Sequence, residues 1–452
     1  MDKAQHILVF DFGKTNKKCL LFDYNFSVID KKETRLPEMV DEDGFPCENI
    51  QLLTKWMQDT FNLFYQKYGD DIIAVNFSTY GASFVHLDIN DKVILPLYNY
   101  LKPIKEGYFD KFYAKYGGKD DFSKVSASPA LDFLNSGLQL LWLKQEKPHS
   151  FEQIQTSLHF PNYCSFLFNG QKRSEYTSLG CHTSLWDFEQ MAYHEWVEEE
   201  NILPKLAEIA WGTAIFPATN IPNLAVGIGL HDSSAALIPY LFGVKERFIL
   251  ISTGTWSITL NPFSTAVLTS AELKKDCLQF LRVAGKQVKA SRLFLGNEFE
   301  KQLKKLNTFF DAKEDKYKAI VFHKKWYQNA LQSGKRYFHF ESLNEENKIN
   351  ASLKDLKSFE EAYTQLCYEL VQKQVAAYHL AKGNTSHIET VFIDGGFSNN
   401  DVFCSILALE LPNVTLKKTK LAAGSSLGAA IVMRPELFTT AQFQRILEVE
   451  SL

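Results

Sequence analysis

The chain has 452 residues, 49 Lys+Arg against 53 Asp+Glu, and a formal net charge of -4. That length is too great for one ordinary core and favours two domains with a cleft between them. The charge balance excludes nucleic acid as a default partner, and the short basic stretch Lys417, Lys418 and Lys420 reads as solvated surface.

The seven cysteines (Cys19, Cys47, Cys164, Cys181, Cys277, Cys367, Cys404) are odd in number and scattered, with no CxxC pair and no histidine at metal-ligand spacing. They read as buried, reduced thiols. Met1 to His6 is polar and leads into a strand rather than a signal core, and no run reaches membrane-spanning length, so a cytoplasmic protein without a membrane partner is expected. The 36 phenylalanines imply large aromatic cores.

In chain order, Ile7 to Phe10 is an apolar strand, Gly13 to Lys17 a turn, and Cys19 to Phe22 a returning strand. Asn49 to Tyr68 carries apolar residues at helical spacing, and Ile72 to Phe77 reads as the strand behind it, which makes an α/β pattern. The same grammar restarts at Phe248 to Ser252, with a tip at Gly254 and a return over Trp256 to Leu260. Ser358 caps a long helix that Gly383 stops; Thr390 to Ile393 is a strand ending in glycines; Ala422 to Met433 is a small-residue helix. The boundary between halves is expected near Gly243, giving units 1–243 and 244–452. Ser264 to Ser358 carries little motif content.

Five segments could carry chemistry. In ILVFDFGKTNKKCLLF, Asp11 closes a strand and Gly13, Lys14, Thr15 and Asn16 form a tip able to cradle phosphate, with Asp11 placed to hold hydrated magnesium. An ordinary polar hairpin explains the same residues. In LISTGTWSITL, Thr253, Gly254 and Thr255 form a similar tip. In GLHDSSAALIPYL, Asp232 precedes a helix and is either its N-cap or a reactive carboxylate, while His231 alone reads as a packed histidine. In VFIDGGFSNND, Gly395 and Gly396 permit close approach of a ring or phosphate, as they would permit a tight turn. LAAGSSLGAAIVM, with Gly424, is equally consistent with helix packing.

Taken in order, these segments resemble the FGGY family of carbohydrate kinases over nearly the whole chain. The resemblance implies an α/β fold of two ribonuclease-H-like domains, the actin and sugar kinase ATPase architecture, closing a cleft over ATP and sugar. It matches Asp11, Gly13 and Thr15 to the first phosphate hairpin, Gly254 and Thr255 to the second, and Asp232 to the catalytic base. Gly395, Gly396 and Asn399 match the adenosine-side motif, and Ala423 with Gly424 the small-residue segment near the nucleotide. STGTWS, HDSSAA and TYGASFVHLD look most like the rhamnulokinase and fuculokinase branch, whose members act on ketoses such as rhamnulose, fuculose and xylulose. Tyr80, Gly81, Ser83, Asn162, His182 and His231 are implied at the sugar, with Trp256 against a deoxy-sugar methyl or in the core.

There are departures. Lys14 replaces a small residue, Ser83 stands where the branch carries an acid, and Asn162 in FPNYCSF replaces the acid of PDY. In LYNYLKP, Asn99 and Lys102 stand in place of an acidic and arginine pair. The implied reaction is phosphoryl transfer from ATP with Mg2+, carried by a monomer or homodimer. The alternatives are a non-catalytic sensor or scaffold of the same architecture, and an actin-like or chaperone ATPase.

Overall fold

The computed structural model describes residues 5–343, 348–420 and 423–452. Its frame is two mixed sheets of seven strands each. In the first, the spatial order is Ile215–Pro217, Ala225–Gly227, Ile72–Thr79, His6–Phe12, Lys17–Phe22 and Val28–Thr34, with Leu230–His231 extending the edge of Ile72–Thr79. In the second it is Cys277–Leu281, Gln287–Leu293, Ser257–Asn261, Phe248–Thr253, Thr390–Gly395, Thr415–Lys418 and Glu450–Ser451.

Each sheet centres on an antiparallel hairpin whose first strand pairs in parallel with a later one. His6–Phe12 lies between Lys17–Phe22 and Ile72–Thr79, with Asp11 opposite Lys18 on one side and Ser78 on the other. Phe248–Thr253 lies between Ser257–Asn261 and Thr390–Gly395, with Thr253 opposite both Ser257 and Gly395. The echo expected between Ile7 and Phe248 is therefore a repeat of topology. The second return strand begins at Ser257, leaving Trp256 in the tip.

Alternation along the strands explains the layers, since successive side chains face opposite sides of a sheet. Ile7, Val9 and Leu250 face inward with Ile238, Tyr240, Leu427 and Ile431, in a core shared by both halves. Leu8, Phe10 and Phe12 face outward onto Leu53, Met57 and Phe61 of the helix Ile50–Tyr68. Ile249 and Ile251 face outward onto Leu366 and Leu370 of the helix Phe359–Lys382. The caps act as expected. Asn49 accepts from the Leu52 amide, Ser358 accepts from the Glu361 amide, and Gly383 ends its helix at φ 49°.

Two helices fill the space between the sheets. Asp232–Gly243 follows the short strand Leu230–His231, and Gly424–Ile431 follows the strand Thr415–Lys418. They cross so closely that a Cβ on Gly428 would lie 1.9 Å from the Ala235 carbonyl oxygen, a contact only glycine allows. The small-residue helix is described over Gly424–Ile431; Leu421 and Ala422, at its expected start, lie outside the described residues, as do Met1 to Ala4 of the polar N-terminal stretch.

Between Ser264 and Ser358, where motifs are sparse, the chain forms the strands Cys277–Leu281 and Gln287–Leu293 and the helices Leu295–Phe309 and Lys324–Ser333. A further aromatic core, including Phe84, Tyr98, Phe112, Phe122, Trp142, Trp186 and Trp196, lies within the long connection after Ile72–Thr79. None of the described helices is long and apolar enough to cross a membrane.

Candidate active site

The first hairpin tip is held from behind. Lys17 is buried, and its ammonium donates to the carbonyls of Gly13 and Lys14, both at 2.9 Å, and to Glu48 at 2.8 Å. The Gly13 amide closes the turn onto the Asn16 carbonyl at 3.0 Å. At the tip Thr15 is exposed. Lys14 pairs with Glu38 at 3.0 Å, and the Asn16 side-chain oxygen accepts from Arg35 at 2.9 Å, so both side chains already have partners within the fold.

Asp11, at the end of the first strand, accepts from the hydroxyls of Ser425 at 2.8 Å and Ser426 at 2.7 Å, both in the first turn of Gly424–Ile431. Burial raises its carboxyl above the ordinary value, the two serine hydrogen bonds pull it down, and the nearby charge of Asp232 adds to the rise. One carboxylate and two hydroxyls form an all-oxygen donor set. Magnesium is commonly held by one or two carboxylates plus water and phosphate oxygens, so Asp11 fits that ion. Among the described residues no group of three or more His, Cys, Asp or Glu forms a closed metal cage.

The second hairpin tip presents Gly254 and Thr255 to a cavity of about 710 Å³, also lined by Gly296, Gly396 and Asn399. Phe299, Leu303, Tyr317 and Phe397 give it an apolar slot suited to a flat ring. Thr253 does not join this lining. Its hydroxyl donates to the Asp394 carbonyl and accepts from the Phe397 amide at 3.0 Å, so it ties the strand end to the glycine turn instead of meeting phosphate. Gly395 is required there: φ is +79°, and a Cβ would lie 1.7 Å from the Thr253 carbonyl oxygen.

A third cavity, of about 470 Å³, is walled by both halves. Tyr80, Gly81, Tyr100, His182, His231 and Ser233 come from the first; Ser252, Trp256, Phe280 and Arg292 come from the second. Trp256 is 43% exposed and stacks on Phe294 with ring centroids 4.6 Å apart, so it is a wall residue and not a core one. His231 lies 3.3 Å from the Cys181 sulfur and 3.3 Å from Asp232, and burial holds its imidazole below the usual range against the opposing pull of Asp232. Burial likewise holds His182 well below that range.

Ser83 and Asn162 are not brought to this cavity. Ser83 is buried behind it, with its carbonyl accepting from the Phe160 amide at 3.1 Å. Asn162 is buried too, and its amide donates to the Ile228 carbonyl at 3.0 Å, bracing the chain just before Leu230. Lys102 and Asn99 are also spent internally. The ammonium of Lys102 pairs with Asp41 at 2.6 Å and with Asp43, and the Asn99 amide donates to the Pro46 carbonyl.

Asp232 sits beside the cavity, between the lining residues His231 and Ser233 in sequence, and is near enough to Asp11 for its charge to be felt there. It is the first residue of its helix, and the N-cap position belongs to His231, so its carboxylate is not the cap. One oxygen accepts from the adjacent Ser233 amide at 2.5 Å, and the side chain is 34% exposed. Its charge reaches both sides. Burial raises the Tyr100 hydroxyl and the Cys181 thiol in the cavity, and Asp232 adds to both, as it does at Asp11. Sequence reading offers Lys17, with Lys14 or Lys18, as positive charge for phosphate, but its ammonium is buried on Glu48 and the tip carbonyls. Residues that sequence patterns did not single out include Ser425, Ser426, Gly296 and Arg292, and only the small-residue run around Gly424 hinted at any of them.

Two family models cover most of the chain: the FGGY carbohydrate kinase N-terminal domain over residues 6–237 and the FGGY carbohydrate kinase C-terminal domain over residues 245–440. The chain belongs to the FGGY family of carbohydrate kinases. Among curated relatives, a rhamnulokinase of Oceanobacillus iheyensis is 26% identical over 41% of this chain and 41% of its own length. A rhamnulokinase of Bacteroides thetaiotaomicron is 23% identical over 62% and 59%, and an L-fuculokinase of Salmonella typhi 20% over 57% of each. The chain thus spans about half the length of the curated relatives it matches. Among solved structures, a carbohydrate kinase from Novosphingobium aromaticivorans has a TM-score of 0.77 at 24% identity, covering 95% of this chain and 93% of the other. A xylulose kinase from Lactobacillus acidophilus has 0.76 at 15%, covering 99% and 93%. These two likenesses establish the fold.

Proposed function

We propose that the protein transfers the terminal phosphoryl group of ATP to a hydroxyl of a small ketose, such as L-rhamnulose, L-fuculose or a xylulose, with Asp232 as the base. The observation that carries this reading is that Asp232, partly open to solvent, is flanked by the cavity residues His231 and Ser233 and lies near enough to Asp11 for its charge to be felt there. The chain divides on this reading into a unit of residues 1–243 and one of residues 244–452, and works as a monomer or homodimer. Its seven free, buried cysteines suit the reducing cytoplasm.

Phosphoryl transfer asks the protein mainly for positioning and charge stabilisation. The two hairpin tips hold the phosphates, and the slot of Phe299, Leu303 and Tyr317 takes the adenine ring. Asp11 is the residue that would hold Mg2+, which when bound neutralises phosphate charge. Asp232 orients the accepting hydroxyl and takes its proton, a role worth roughly 10²- to 10⁴-fold. Trp256 and Phe280 cover the apolar face of the sugar.

The test is Asp232→Ala, assayed by coupled ADP release on the three ketoses and by calorimetric titration with ATP. Loss of turnover with ATP binding intact is expected. Retained turnover overturns the base assignment; ATP hydrolysis indifferent to every sugar supports an ATPase instead.

A further inference from the structure

Arg292 lies near the end of the strand Gln287–Leu293, opposite Ile258, and lines the sugar-side cavity. Part of the side chain is engaged: Nη2 donates to Asp276 at 2.7 Å, and the guanidinium carbon lies 5.5 Å from the Trp256 ring centroid, while the backbone amide donates to the Asp276 carbonyl at 3.1 Å. Its Nε–H is shut off from solvent and so from the cavity, whereas Nη1 is open to solvent and has no hydrogen-bond partner among the described residues. An unfilled, accessible donor on a charged group of the cavity wall is suited to a ligand oxygen.

His182 lies on the same wall, with its backbone at φ 51° and its ring edge-on to Phe280 at 5.0 Å. No carboxylate is among the residues lining the cavity, whose polar groups are otherwise the phenols, hydroxyls and imidazoles of Tyr80, Tyr100, Ser233, Ser252 and His231. Acceptor oxygens of a ligand are therefore best met at Arg292, and the proton of its reacting hydroxyl at Asp232.

Resting on the reading of the protein as a sugar kinase, we propose that Arg292 is a substrate-binding residue supplied by the C-terminal half, whose Nη1 donates to a ring, carbonyl or hydroxyl oxygen of the sugar. Asp276 and Trp256 are the positioning residues that aim it. The side chain thereby makes sugar affinity depend on the second half of the molecule, although the base belongs to the first.

The experiment compares the full-length protein with Arg292→Gln, Arg292→Lys and Asp276→Asn, using L-rhamnulose, L-fuculose and D-xylulose. Arg292→Gln is expected to raise the sugar KM about tenfold or more with kcat little changed, because the interaction is made in ground and transition states alike. The ATP KM and thermal midpoint stay at the wild-type values. Arg292→Lys keeps the charge but lacks the planar fork that holds Asp276 with one nitrogen and offers the other to the cavity, so it raises the sugar KM in the same direction, and it carries the test if the glutamine variant is insoluble. Asp276→Asn gives a smaller rise. A sugar KM unchanged in both arginine variants, or one that rises only together with the ATP KM and a lower thermal midpoint, overturns the inference alone. A wild-type protein that phosphorylates none of the three sugars overturns the ketokinase reading, and the inference with it.

Discussion

Asp11 and Ser426, near opposite ends of the chain, are joined by a hydrogen bond of 2.7 Å that fastens the first strand of one sheet to the helix following the last long strands of the other. Replacing Ser425 and Ser426 together by alanine leaves the buried Asp11 carboxylate without side-chain donors. A loss of about 2 kcal/mol or more is expected, read as a lower urea midpoint. Both serines hold the Asp11 pKa down, so the acidic limb of the pH–rate profile moves to higher pH in the double variant.

Lys17 gives a prediction about the first tip. Its ammonium binds Glu48 and two tip carbonyls out of reach of solvent. Lys17→Met leaves the buried Glu48 to the more distant Lys14, at 3.7 Å, and a loss of about 2 kcal/mol is expected with a raised ATP KM. Adding Glu48→Leu recovers most of the stability but not the ATP KM, since the tip remains untied. Paired denaturation and kinetic measurements check both parts.

Gly395→Ala tests the glycine turn. The added methyl meets the Thr253 carbonyl oxygen at 1.7 Å on a backbone already at φ +79°, and neither atom can move without displacing a strand end. A destabilisation of about 2 kcal/mol or more is expected, with ATP affinity falling further than sugar affinity. Calorimetric titration with each ligand separates the two.

Buried imidazoles set an acid limit on stability. Burial lowers His86 and His159 to about 3, and lowers His182 and His231 as well. Below the ordinary value of 6.5 the unfolded chain takes up protons that these groups refuse in the fold, so stability falls as pH drops through 6.5. For His86 and His159 the loss at pH 5 is on the order of 2 kcal/mol each. Urea midpoints at pH 5 and pH 7.5 should differ in that direction, and His86→Gln should narrow the gap.

Much of the frame could be read from local pattern. Ile7 to Phe22 and Phe248 to Leu260 carry continuous apolar runs around polar tips, and Asn49, Ser358 and Gly383 are helix signals that act within a few residues. What escaped depends on distant pairing. Asn162 looks like a site residue through the family resemblance and Thr253 because it is polar beside a glycine, but their hydrogen bonds go to Ile228 and to Asp394 and Phe397, partners no spacing rule connects to them. Arg292 escaped for the opposite reason: it is one cation in a stretch without motifs, and only the register of its strand against Ile258 carries it to the cavity. Asp232 was legible as a residue at a helix start, but His231 holds the cap position and leaves the carboxylate turned outward.

The contact of Gly428 with the Ala235 carbonyl has a mechanical meaning. Asp232 heads one of the helices that meet there and Ser425 and Ser426 head the other, so Asp232 and the donors to Asp11 ride on two rods touching backbone to backbone. The backbones already touch there, so the two helix axes cannot come any closer at that point, and the spacing between the heads of the two helices is built on a glycine.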